Sequence, residues 1–104
     1  MSERAGLVAA SNVTLDSVLH REAGALVIYH FIITATANIA KDTDLVTGGA
    51  VPALVVNGGG FGFALNNNED KKTRVLYLTG NGGIRCNENI ASGETLRCEV
   101  VYGK

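Results

Sequence analysis

Charge is sparse in this sequence. Asp, Glu, Lys and Arg make up 18% of its 104 residues, where ordinary soluble domains carry about 25%. A small domain has much surface for its volume, so the shortage leaves two explanations. Either a partner covers part of the surface, identical copies being the commonest partner, or the surface is polar without charge, built from Gly, Ser, Thr and Asn. The charge that is present nearly cancels, with nine basic and ten acidic residues. The longest basic run is Lys71-Lys72, beside Glu69-Asp70. Nucleic-acid binding needs a clustered positive face to displace counterions, so no nucleic-acid partner is expected.

Long apolar runs are also missing. A membrane-crossing helix needs about 18 apolar residues or more, and the longest run, residues 25–33, is interrupted by His30. No membrane insertion is expected. The opening residues lead into an apolar stretch that breaks at Ser11-Asn12, too short for the core of a signal peptide. Synthesis in a cytosol follows as an expectation, and the sequon Asn12-Val13-Thr14 reads as accidental. Cysteine occurs twice, at Cys86 and Cys98, too rarely for a disulfide scaffold and at a spacing that fits no zinc motif. No metal or other cofactor is expected.

What is present is alternation with a period of two. Val13-Thr14-Leu15 opens a first extended stretch. Residues 25–37 (ALVIYHFIITATA) carry the strongest strand signal, dense in β-branched and aromatic side chains. Val27, Tyr29, Phe31 and Ile33 fall on one face, and Ile28, His30, Ile32 and Thr34 on the other. Both faces are mostly apolar, which predicts a strand covered twice, by an opposing sheet and by something else such as another subunit. Ile28, His30 and Ile32 are therefore the expected subunit interface.

Further along, Gly48-Gly49 breaks the chain and Pro52 precedes a short apolar strand over residues 53–56. Phe61-Gly62-Phe63-Ala64-Leu65 alternates large and small, the pattern of a strand with Gly62 facing outward. Residues 73–79 predict a strand with Val75 and Tyr77 opposing Leu76 and Leu78. Asn81-Gly82 suits a tight hairpin, continued by Ile84 and Cys86. Residues 91–94 (ASGE) form another turn. In the last strand Leu96, Cys98, Val100 and Tyr102 point inward and Arg97 and Glu99 outward. About six to eight short antiparallel strands at even spacing predict an all-β sandwich or barrel, as one domain over residues 1–104.

No catalytic constellation stands out, so a non-enzymatic protein is expected. His30 sits mid-strand on an apolar face, and His20 lies beside Arg21 and Glu22. Neither adjoins a nucleophile in a recognisable motif, and Ser92 reads as turn chemistry. Asp42 and Asp44 have the spacing of a calcium loop without its remaining ligands. Gly58-Gly59-Gly60 and Gly62 lack the Lys-Ser/Thr ending of a phosphate loop. If the strands carrying Cys86 and Cys98 pair around the Ser92 turn, the thiols face each other, which allows a cross-strand disulfide or two buried free thiols. The polar loop NNNEDKK supplies Asn66, Asn67, Asn68 and Asp70, with Tyr77 nearby. Amides, carboxylates and a ring equip a sugar-binding site, and they equally equip any exposed loop.

Several stretches resemble the small β-sandwich domains of bacteriophage tail fibres and baseplates. They are VTL at 13–15, HREAGALVI at 20–28, IITA at 32–35 and AVP at 50–52. The ending is similar too: LYL at 76–78, Gly83-Ile84, IASGETL at 90–96 and VVY at 100–102. The resemblance implies a jelly-roll-like sandwich, the C-terminal or tip domain of a fibre-like structural protein. It would form a homotrimer carried on a virion and contact a host-surface glycan or protein. Two other expectations stand beside it: a capsid or tail decoration protein that binds the particle, and a small ligand-binding β-barrel.

Overall fold

The structure is a computed structural model that describes residues 2–3, 7–47, 60–66, 72–79 and 83–103. The predicted segment 53–56 with Pro52, the turn Asn81-Gly82 and the loop residues Asn67, Asn68 and Asp70 lie outside the described residues.

Every described element is a strand: β1 (Ser2–Glu3), β2 (Val8–Ala9), β3 (Val13–Ala23), β4 (Leu26–Ala35), β5 (Asp44–Thr47), β6 (Gly60–Asn66), β7 (Thr73–Leu78), β8 (Ile84–Cys86) and β9 (Thr95–Gly103). They form one antiparallel sheet in the order β1-β3-β4-β9-β6-β7-β8-β5-β2. The sheet curls until its far end returns to its beginning. Both β2 and β5 pack against β3, and Ala10 follows β2 to donate its N–H to Leu45 O at 3.1 Å. The result is nearly a closed barrel, an arrangement that leaves few exposed strand edges.

Local chemistry explains the longest hairpin. Gly24, at φ +61°, opens the two-residue turn between β3 and β4, where glycine accepts a positive φ without a Cβ clash. In β4 exposure alternates along the strand, with Val27, Tyr29, Phe31, Ile33 and Ala35 buried. Their partners inside the barrel include Leu45, Val46, Leu76, Ile84, Leu96 and Val100. The Tyr29 and Tyr102 rings stack with centroids 6.2 Å apart. In β9 the inward set is the predicted one, Leu96, Cys98, Val100 and Tyr102.

Two expectations fail here. Gly62 faces inward and is buried, not outward. A Cβ built on it would lie 1.8 Å from the Glu99 carbonyl oxygen, so β6 and β9 approach too closely for any side chain. Small Gly62 and Ala64 therefore take the inner face, and Phe61 and Phe63 are forced out. The two cysteines are also not brought together by a hairpin at Ser92. β8 pairs with β7 and β5, while β9 lies between β4 and β6. Between β8 and β9 the chain crosses to a bridge between Ile39 and Ile90 and only then turns, with Gly93 at φ +91°. Cys86 and Cys98 are both buried free thiols.

Candidate interaction face

The outward side of β3, β4, β9, β6 and β7 is where the inverted phase of β6 has its effect. Strand pairing sets its side chains in three rows across the strands. The first row is Asp16, Ile32, Arg97, Leu65 and Thr73. The second is Leu19, His30, Glu99, Phe63 and Val75. The third is Arg21, Ile28, Val101, Phe61 and Tyr77. Phe61 is 62% exposed, Phe63 54%, Val75 42% and Leu65 40%, and Ile28, Ile32 and Val101 beside them are half-buried. Single exposed apolar residues are ordinary on protein surfaces, but a contiguous patch marks an interaction site.

The face is not flat. β3 carries a bulge between Asp16 and Leu19, with Ser17 in the left-handed region at φ +53°. A bulge bends its strand and re-aims the neighbouring side chains. Here it lies beside an open groove of about 800 Å³, lined by Leu19, His30, Ile32, Phe63, Leu65 and Arg97 among others. The Phe61 and Phe63 rings meet edge-on, 6.3 Å apart, and stand as a ridge beside it. On the groove floor His30 Nε2 lies 3.0 Å from Glu99 Oε2.

The expected interface residues Ile28, His30 and Ile32 all lie on this face. His30 is half-exposed and held by Glu99, so it is neither a core residue nor fully covered within one chain. Phe61, Phe63, Leu65 and Val75 were not among the sequence candidates. The signal for Phe61, Phe63 and Leu65 was the FGFAL alternation, which points to an apolar outer face once the small residues are assigned inward; Val75 lies opposite Phe63 on β7.

The residues read as sugar equipment do not form one group among those described. Asn66 is buried, and its side-chain amide donates to Glu94. Tyr77 lies at the far end of the third row, where its hydroxyl donates to Asp42 Oδ1 at 2.7 Å. That hydrogen bond is the main cause holding the Tyr77 phenol above its usual pKa; desolvation and the Asp42 charge add to it. Next to it Arg85 Nε donates to Asp44 Oδ1 at 2.7 Å, and this bond is the main cause raising the Arg85 pKa. Asp42 and Asp44 are thus occupied by Tyr77 and Arg85. Among the described residues no group of three or more His, Cys, Asp or Glu is placed to hold a metal ion, and no helix is long and apolar enough to cross a membrane.

Compared with models of protein families, with curated proteins and with solved structures, the chain matches none.

Proposed function

We propose that this chain is a non-enzymatic assembly and attachment module that works as a homo-oligomer, its outer β3-β4-β9-β6-β7 face covered by sister copies. One observation carries the reading: four large apolar side chains, Phe61, Phe63, Leu65 and Val75, stand exposed together on one sheet face, beside the half-buried Ile28 and Ile32. The low overall charge supports it, because a covered face needs no charge to stay dissolved. The setting proposed is the one the sequence resemblance implies, a bacteriophage fibre or baseplate with the module on the virion contacting a host surface. A curled sheet whose two sides face each other across the packed core is the form the jelly-roll-like reading takes in this proposal.

The test is mass in solution at micromolar concentration, by sedimentation or light scattering. An oligomer is expected, and a monomer that persists to several hundred micromolar ends the reading. Attachment is then separated from decoration by co-sedimentation with bacterial cells and isolated cell walls. Retention on them supports attachment, and retention only on tail particles supports decoration.

A further inference from the structure

The rows on the outer face are complementary to themselves, and we infer that two copies pair face to face about a two-fold axis running across the strands, between the first and second rows. This rests on the self-association proposed above and specifies its partner and register.

Successive outward residues on a strand are two positions apart, roughly 7 Å, so neighbouring rows are separated by that distance. A two-fold axis lying between two rows and perpendicular to the strands lays the central strands β4, β9 and β6 over their own copies and exchanges the rows. Arg97 of one copy then faces Glu99 of the other, and Glu99 faces Arg97. Phe63 meets Leu65, and His30 meets Ile32. Every contact is made twice, as an isologous interface requires, and no like charges are opposed. Moving the axis onto the second row would set Glu99 against Glu99. Moving it parallel to the strands along β9 would set Arg97 on Arg97 and Glu99 on Glu99.

Charge on the face supports this register. Arg97 is exposed and makes no side-chain hydrogen bond or ion pair among the described residues. Glu99 is half-exposed and among the described residues engages only His30, which leaves carboxylate capacity for a second donor. A cation with no partner among the described residues, two residues from an acid and at the centre of an apolar face, is costly to cover with an apolar partner and is neutralised by a second copy. Such pairs fix register more than they add affinity.

The trimer implied by the resemblance would join different patches in a ring, whereas here one patch is complementary to itself. Only the first two rows are opposed in this register, and the barrel's outer surface curves away on either side of β9, so the contact falls below the ~800 Å² that each partner of a stable complex contributes. The pair is therefore expected to be concentration-dependent, with dissociation in the micromolar range.

The experiment is sedimentation equilibrium of the full chain, with Arg97→Glu, Glu99→Arg and the double variant, each first shown to keep the wild-type melting curve. All substitutions point outward, so the fold should survive them. Wild type should fit a monomer–dimer equilibrium. Each single reversal opposes like charges twice and should weaken the dimer at least tenfold, and the double variant should recover most of that loss. A trimer would overturn the two-fold pairing while sparing the assembly reading. A dimer in which the double variant fails to recover would overturn the register. A monomer at every concentration would overturn both.

Discussion

Gly62 is the position at which one missing side chain decides which residues the surface displays. Its Cβ would meet the backbone oxygen of Glu99, which cannot rotate out of the way as a side-chain tip can. Gly62→Ala should therefore cost about 3 kcal/mol, at the upper end of overpacking, measured by urea denaturation. The cysteines show the opposite case, side chains sealed by the core. Burial, with Cys86 adding to it, raises the Cys98 thiol well above its usual pKa, and burial is the main cause raising Cys86. The native protein should resist a thiol-specific disulfide reagent that labels both sites once it is unfolded. These raised values also set a pH dependence. The unfolded thiols ionise above their ordinary pKa of about 8.5 while the folded ones stay protonated, so their contribution is complete below that pH and is lost as the pH rises through the folded values. Unfolding free energy should fall as the pH rises above about 8.5, and less so in a Cys86→Ala, Cys98→Ala variant.

Strands that are distant in sequence are tied together by one polar junction inside the barrel. Arg74 on β7 is 5% exposed, and its Nη2 lies 3.0 Å from Glu94 Oε1. The same carboxylate accepts the Ala91 N–H at 2.7 Å and the Asn66 amide from β6, fastening β6 and β7 to the turn that launches β9. Among the described residues Nε and Nη1 of Arg74 find no acceptor, so Glu94 is the main compensation there for a buried cation. Glu94→Ala should cost about 3 kcal/mol, the typical loss when one member of a buried pair is removed. Adding Arg74→Met should recover part of it, because the uncompensated charge leaves with the guanidinium. Thermal denaturation of the three variants decides this. Asn66 thus has a structural duty inside the barrel, a role its place in a polar run did not suggest.

Taken as one body, the protein has a core sealed inside a curled sheet and a second apolar surface facing out. The two should respond differently to mutation. Phe63→Ser removes an exposed ring, and surface substitutions of this kind shift stability by no more than about 0.5 kcal/mol. The melting temperature should stay close to wild type while self-association weakens at least tenfold, read by sedimentation across a dilution series. Loss of folding together with association would show Phe63 to be a core residue. Raised salt should weaken association only modestly, since most of the contact is apolar and screening acts on the Arg97 and Glu99 charges.

Much of this architecture was legible in the residues. Alternation in β4 and β9 identified the inward sets correctly, because a half-buried strand needs a period of two whatever lies around it. The same alternation placed Ile28, His30 and Ile32 together on the second face. Phase in β6 was not legible: FGFAL reads equally well with either set inward, and only the close approach of β9 resolves it. Pairing partners were likewise hidden. Cys86 and Cys98 look like neighbours across the Ser92 turn, yet β9 is inserted between β4 and β6, a choice made by long-range packing that no local pattern encodes. Local periodicity therefore dictated the longer strands and which of their residues can share a face, while the short β1, β2 and β5 carry no alternation long enough to read. Tertiary packing decided which face is buried, which strands adjoin, and so which apolar residues are left at the surface for a partner.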